Sequence, residues 1–165
     1  MTDPLASGTP LVIAAHGTRD KSGVAECRAL AERIAGKLPG IPVELGFVEL
    51  AEPGIPEAVR AAVAQAPKKP EEADGDEEPA AAVVVPLMFN TGGHVREDIP
   101  EAIDEGRGDA RVVYSAPLLP DVRMRKALSR RLSETLAAGE GREEWRSRDT
   151  AVVLVGRGAL VPDAN

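Results

Sequence analysis

Aromatic side chains are almost missing from this chain: one Trp, one Tyr and two Phe in 165 residues. A core must be built from Val, Leu, Ile and Ala, and stacking of nucleic-acid bases on aromatic platforms is disfavoured as a mode of action. Cysteine is equally scarce. The single Cys27 excludes an internal disulfide and any multi-cysteine zinc site, and fits a reducing cytoplasm; it lies on an apolar helical face and is expected in the core. Basic residues are the minority charge, 20 Lys and Arg against 27 Asp and Glu for a net −7, which works against nonspecific attraction to nucleic acid or anionic membranes. An anionic ligand would need cations placed locally. No apolar run approaches about 18 residues, and the opening MTDPLASGTP has neither a basic nor an apolar leader region. The expectation is a soluble cytoplasmic protein with no membrane or nucleic-acid partner. Histidine is rare too, with two in the whole chain, so where they fall carries information.

What is present is a regular alternation. Apolar runs at 11–15 (LVIAA), 43–50 (VELGFVEL), 81–89 (AAVVVPLMF) and 111–119 (RVVYSAPLL) read as strands, and continuous β-branched runs of this length suit strands covered on both faces. Between them, 23–38 repeats apolar residues at helical spacing and ends at Gly36, Pro39 and Gly40. Segment 55–66 has Pro56 suited to a first helical turn. Segment 96–106 has Asp98 as N-cap and Gly106 at its end, and 124–139 is a longer amphipathic helix. The order βαβαβαβα predicts an α/β fold of three layers, α/β/α, with a parallel sheet of four to five strands and right-handed crossovers.

Two segments break the alternation. APKKPEEADGDEEPA (66–80) is rich in proline and acidic residues and reads as a solvated, disordered insert. TAVVLVGRGALVPDAN (150–165) reads as a fifth strand ending in a glycine-rich turn. The expected organisation is one domain over 1–140, large enough to bury about two thirds of its unfolded surface, followed over 141–165 by a linker and that strand.

In open parallel sheets, ligands bind beyond the carboxyl ends of the strands, where neighbouring crossovers leave for opposite faces. Both histidines fall there. His16 follows the first strand in AAHGTRD, and His94 follows the third in FNTGGHVREDIP. With strand order 2-1-3-4 the two would lean into one crevice, joined by Glu49 and Glu52 from the end of the second strand. Two imidazoles and a carboxylate suit Co²⁺, Fe²⁺, Ni²⁺ or Zn²⁺, and an imidazole also accepts protons near neutral pH. Gly17, Gly92 and Gly93 would permit unusual backbone angles and the close approach of a flat ligand. Arg19, Lys21 and Arg96 are candidate partners for substrate carboxylates. Each residue also has a plainer reading: a structural histidine at a strand end, Glu49 as the outward residue of an alternating strand, and solvated surface cations.

The segments HGTRD, FVELAEPGIPEA and VVVPLMFNTGGHVREDIPEAI resemble the small class II chelatases of the CbiX/SirB type, over about residues 11 to 136. The resemblance implies a flavodoxin-like chelatase half that inserts a divalent metal, Co²⁺ or Fe²⁺, into sirohydrochlorin for cobalamin or siroheme biosynthesis. It places the family's metal-binding and proton-accepting groups on His16, His94 and Glu49. It implies no tightly bound cofactor, since the metal is a substrate, and it implies a homodimer or a second similar half to complete the cleft. Thr18 stands where the family commonly has serine, Asn90 to Gly93 is more polar and glycine-rich than usual, and Arg157 in the final strand occupies the place that His16 has in the first.

Two other readings stand beside the chelatase. One is a noncatalytic metal or tetrapyrrole carrier using the same pocket. The other is a histidine phosphatase-like hydrolase, suggested by HG with a nearby arginine, although Ala15 stands where that family has an arginine before the histidine.

Overall fold

The computed structural model describes residues 8–67, 79–89, 91–119, 121–137, 151 and 153. The acidic insert lies largely outside these residues, and so does the expected fifth strand except for Ala151 and Val153. The elements run β1 (Leu11–Ala15), α1 (Lys21–Ala35), β2 (Val43–Phe47), α2 (Ile55–Ala64), β3 (Ala82–Pro86), a π-helical turn (His94–Asp98), α3 (Ile99–Arg107), β4 (Val112–Tyr114) and α4 (Val122–Ala137).

The four strands form one parallel sheet in the order β2-β1-β3-β4, with Leu11 of β1 opposite Val43 on one side and Val83 on the other. The alternation of side chains along β1 then decides the layers. Val12 and Ala14, with Val84, pack against Ile55, Val59, Ala62, Ile99 and Ile103, so α2 and α3 cover one face. Leu11 and Ile13 turn to the other face and meet Ala31, with Ile34 and Leu38 beside them. β1 is therefore buried along its whole length, and that is why it reads as an unbroken apolar run rather than an alternating one.

Helix starts follow local chemistry. The Asp20 carboxylate accepts from the Ser22 backbone N–H at 3.0 Å and opens α1, and the Ser22 hydroxyl, donating to it at 2.8 Å, together with that N–H holds its pKa below the usual carboxylate value. Pro56 sits in the first turn of α2, where its missing N–H costs nothing. β2 spans Val43–Phe47, shorter than the expected 43–50, and on its free edge the Phe47 N–H donates to the Pro53 carbonyl at 2.9 Å. Cys27, expected in the core, is only half-buried, because α1 presents a narrower apolar face to the sheet than its sequence suggests. None of the helices among the described residues is long and apolar enough to cross a membrane.

Candidate metal centre

The β1–β2 ladder does not end with the strands. Val48 N–H donates to the Ala15 carbonyl at 2.9 Å, and Glu49 N–H donates to the His16 carbonyl at 3.1 Å. This zipping beyond the sheet edge carries His16 and Glu49 to the same place. It requires a glycine next to the histidine. Gly17 has φ +93°, and a Cβ built there would lie 1.7 Å from the Glu49 carbonyl oxygen, so only glycine lets the two segments touch. Glu49 is thus not the outward residue of a strand; it stands past the end of β2, half-exposed, with Oε1 at 3.8 Å from His16 Nδ1.

His94 arrives from β3 on different local chemistry. Pro100 cannot donate to the carbonyl four residues back, and its ring crowds that carbonyl. The chain widens just before it: the Ile99 N–H reaches back to the His94 carbonyl, closing a π-helical turn over His94–Asp98. Buried Val95 and Ile99 fasten this turn to the core, and the Tyr114 hydroxyl donates to the Val95 carbonyl at 2.9 Å. Burial pushes the Tyr114 phenol up to about 12.

Asp98 is the correction that matters most for function. Expected as a helix cap, it makes no side-chain capping bond; its Oδ2 lies 2.5 Å from Nδ1 of His94. A carboxylate only accepts, so Nδ1 carries the proton and Nε2 is left with its lone pair free. His16 is arranged alike, with Nδ1 at 3.2 Å from the Gly17 carbonyl oxygen. Second partners of this kind fix the orientation of metal-binding imidazoles.

The two imidazole rings meet edge to face, with centroids 4.6 Å apart and planes at 82°. One ligand atom from each of His16, Glu49 and His94 lies within 4.8 Å of the others. Ligands about 2.1 Å from one ion sit roughly 3–4 Å apart, so small side-chain rotations would bring the three to coordination distance. Their side chains are 40%, 49% and 37% exposed, which leaves the cluster open to a large partner.

The remaining expected residues are more scattered. Arg19 and Lys21 are exposed at the entry to α1. Arg96 is exposed on the π-helical turn and its described bond is a long one, 3.5 Å to the Thr91 hydroxyl. Gly92 and Gly93 do not use glycine's special angles: Gly93 is helical, with φ −53°, and φ at Gly92 is not in the left-handed region. A Cβ at either would meet nothing within 4 Å, so what they provide is open space beside His94. Sequence reasoning missed the Asp98 and Tyr114 contacts; the i, i+4 spacing of His94 and Asp98 was the available signal for the first.

Comparison with known proteins identifies the family and the fold. The CbiX family profile matches residues 10–135. A sirohydrochlorin ferrochelatase of Priestia megaterium is 31% identical over 89% of this chain and 49% of its own length. A sirohydrochlorin cobaltochelatase of Sulfolobus acidocaldarius is 31% identical over 77% of this chain and 92% of its own length. Among solved structures, the sirohydrochlorin chelatase SirB of Bacillus subtilis subspecies spizizenii in complex with cobalt superposes with TM-score 0.62 at 27% identity, covering 77% of this chain and 50% of that one. The chain spans about half the length of the Priestia ferrochelatase and of SirB, and nearly all of the Sulfolobus enzyme. A family profile matching three quarters of the sequence, on a sheet that brings both histidines and Glu49 together, leaves one assignment: the chain belongs to the CbiX family.

Proposed function

We propose that this chain is a sirohydrochlorin chelatase that inserts Co²⁺ or Fe²⁺ into the macrocycle. The observation that carries the reading is the convergence of His16, Glu49 and His94 beyond the carboxyl ends of three adjacent strands. Insertion replaces two pyrrole N–H protons by one dication. The site can exchange the same charges in reverse: Nε2 of each histidine holds the metal through a lone pair and, on releasing it, accepts a proton at the same atom. Asp98 favours this by accepting from Nδ1–H of His94, which keeps Nε2 as the atom that meets both the metal and the proton. Glu49 offsets the charge of the waiting ion. Two imidazoles and a carboxylate accept either metal, so supply rather than intrinsic affinity selects between them.

Arg19, Lys21 and Arg96 are proposed to meet carboxylates on the macrocycle's rim, and the open space over Gly92 and Gly93 to admit its flat face. A macrocycle needs a second wall, which we assign to a second copy of the chain or a second similar half, acting in the cytoplasm. Anaerobic mixing of protein, sirohydrochlorin and Co²⁺, followed by absorbance, tests the activity: insertion should run well above the spontaneous rate. A rate equal to the spontaneous one would overturn the enzyme reading in favour of a carrier.

A further inference from the structure

A groove of about 600 Å³ lies beside the metal cluster without including it. Its size is that of a small-molecule site, roughly 300–1,000 Å³. One wall is a single stripe of α1, in which Lys21, Val24, Ala25, Arg28, Ala29 and Glu32 recur at helical spacing. The opposite wall is the loop after β2, with Leu50 and Glu52. Thr18 and Arg19 close the end that follows His16. The groove therefore begins within two residues of His16 on one wall and one residue past Glu49 on the other.

Its chemistry is two-sided. Arg19, Lys21 and Arg28 face Glu32 and Glu52, a positive excess in a chain of net charge −7. The charges are also ordered: Glu32 lies about 16 Å along the helix axis from Lys21, so the cationic end is the one beside the cluster. Arg28 gives one N–H to the Glu52 carbonyl at 3.1 Å and has further donors to offer. Leu50 supplies the apolar part. It is 47% exposed and holds φ +64°, a backbone region that a leucine rarely occupies. A strained, exposed leucine between a metal ligand and a basic groove marks a contact surface rather than a packing role. Ala25 and Ala29 keep the floor low.

We infer that this groove is the subsite for the carboxylate-bearing rim of the tetrapyrrole, with Arg28 and Leu50 as residues that determine which macrocycles are held. Arg28, Arg19 and Lys21 engage rim carboxylates while Leu50 and Val24 cover the adjoining apolar ring edge. The inference rests on the chelatase reading for its ligand, but its test is separable. Uroporphyrin I, a metal-free octacarboxylic porphyrin, is titrated by fluorescence into the full chain, and Co²⁺ is titrated separately. Arg28→Ala should weaken porphyrin binding about 10-fold, the share of one charged hydrogen bond, and leave Co²⁺ affinity unchanged. Ala25→Glu, at an exposed position one turn from Arg28 on the same stripe, should do the same by repelling rim carboxylates and competing for the Arg28 guanidinium. Porphyrin affinity unchanged in both variants, or Co²⁺ affinity falling in parallel, would overturn the subsite. A wild type that binds porphyrin through Arg28 yet inserts no metal would sink the chelatase reading and keep the groove. A wild type that inserts metal with no dependence on Arg28 or Ala25 would do the opposite.

Discussion

Oδ2 of Asp98 lies 2.5 Å from Nδ1 of His94, within one π-helical turn, so the residue that fixes the histidine's tautomer comes from the same few residues as the histidine itself. Partners of this kind change metal affinity by roughly 10–100-fold when removed. Asp98→Ala should therefore weaken Co²⁺ binding in that range without unfolding the protein, since the exposed carboxylate supports no core contact. Asp98→Asn, which can still accept from Nδ1–H through its amide oxygen, should fall between wild type and alanine. Calorimetric titration with Co²⁺ checks this; equal affinities in all three proteins would contradict it.

Gly17 gives a second prediction, tied to the backbone. Its Cβ position is 1.7 Å from the Glu49 carbonyl oxygen, at φ +93°. Gly17→Ala must separate the segments that carry His16 and Glu49, and the left-handed backbone alone costs about 1–2 kcal/mol. Urea unfolding should show a loss of at least that size, together with weakened Co²⁺ binding. A variant with native stability and native affinity would show that the contact is dispensable.

Tyr114 sets a pH window. Folding favours its neutral phenol, whose pKa burial raises from 10.0 to about 12. Its contribution is therefore complete below pH 10 and is lost as the pH climbs from 10 towards 12. Wild type minus Tyr114→Phe, measured by urea unfolding, should give a stability difference that shrinks across this window. Below it the variant should be less stable by about 0.5–1.5 kcal/mol, the worth of the hydroxyl's bond to the Val95 carbonyl. A difference that stays constant from pH 8 to 12 would contradict the assignment.

The sheet was legible because β1 is buried on both faces, and a buried strand writes itself as LVIAA; the order 2-1-3-4 then placed His16 and His94 side by side. The way Asp98 is used was not legible. Asp98 ahead of Ile99 and Pro100 satisfies every rule for a helix cap, and only the widened turn before the proline, a tertiary outcome anchored by Val95, Ile99 and Tyr114, turns its carboxylate onto His94 instead. The glycines divide in the same way. Gly17 has the positive φ that HG suggested, whereas Gly93 is an ordinary helical residue whose value is the space above it. Arg19 and Lys21 were legible as candidate carboxylate partners, but the groove they border was not: Arg28 looks like a solvated charge on a helix until the loop after β2 is laid against it.

The shared site is tested most directly by single-turnover transfer. Protein loaded with one equivalent of Co²⁺ and freed of excess is mixed anaerobically with sirohydrochlorin, and the absorbance of the cobalt complex is followed. The geometry of His16, Glu49 and His94 predicts stoichiometric transfer from the wild type, faster than from free Co²⁺, and no protein-dependent transfer from either His16→Ala or His94→Ala. A wild type no faster than free Co²⁺, or a single histidine variant that transfers as fast as wild type, would contradict it.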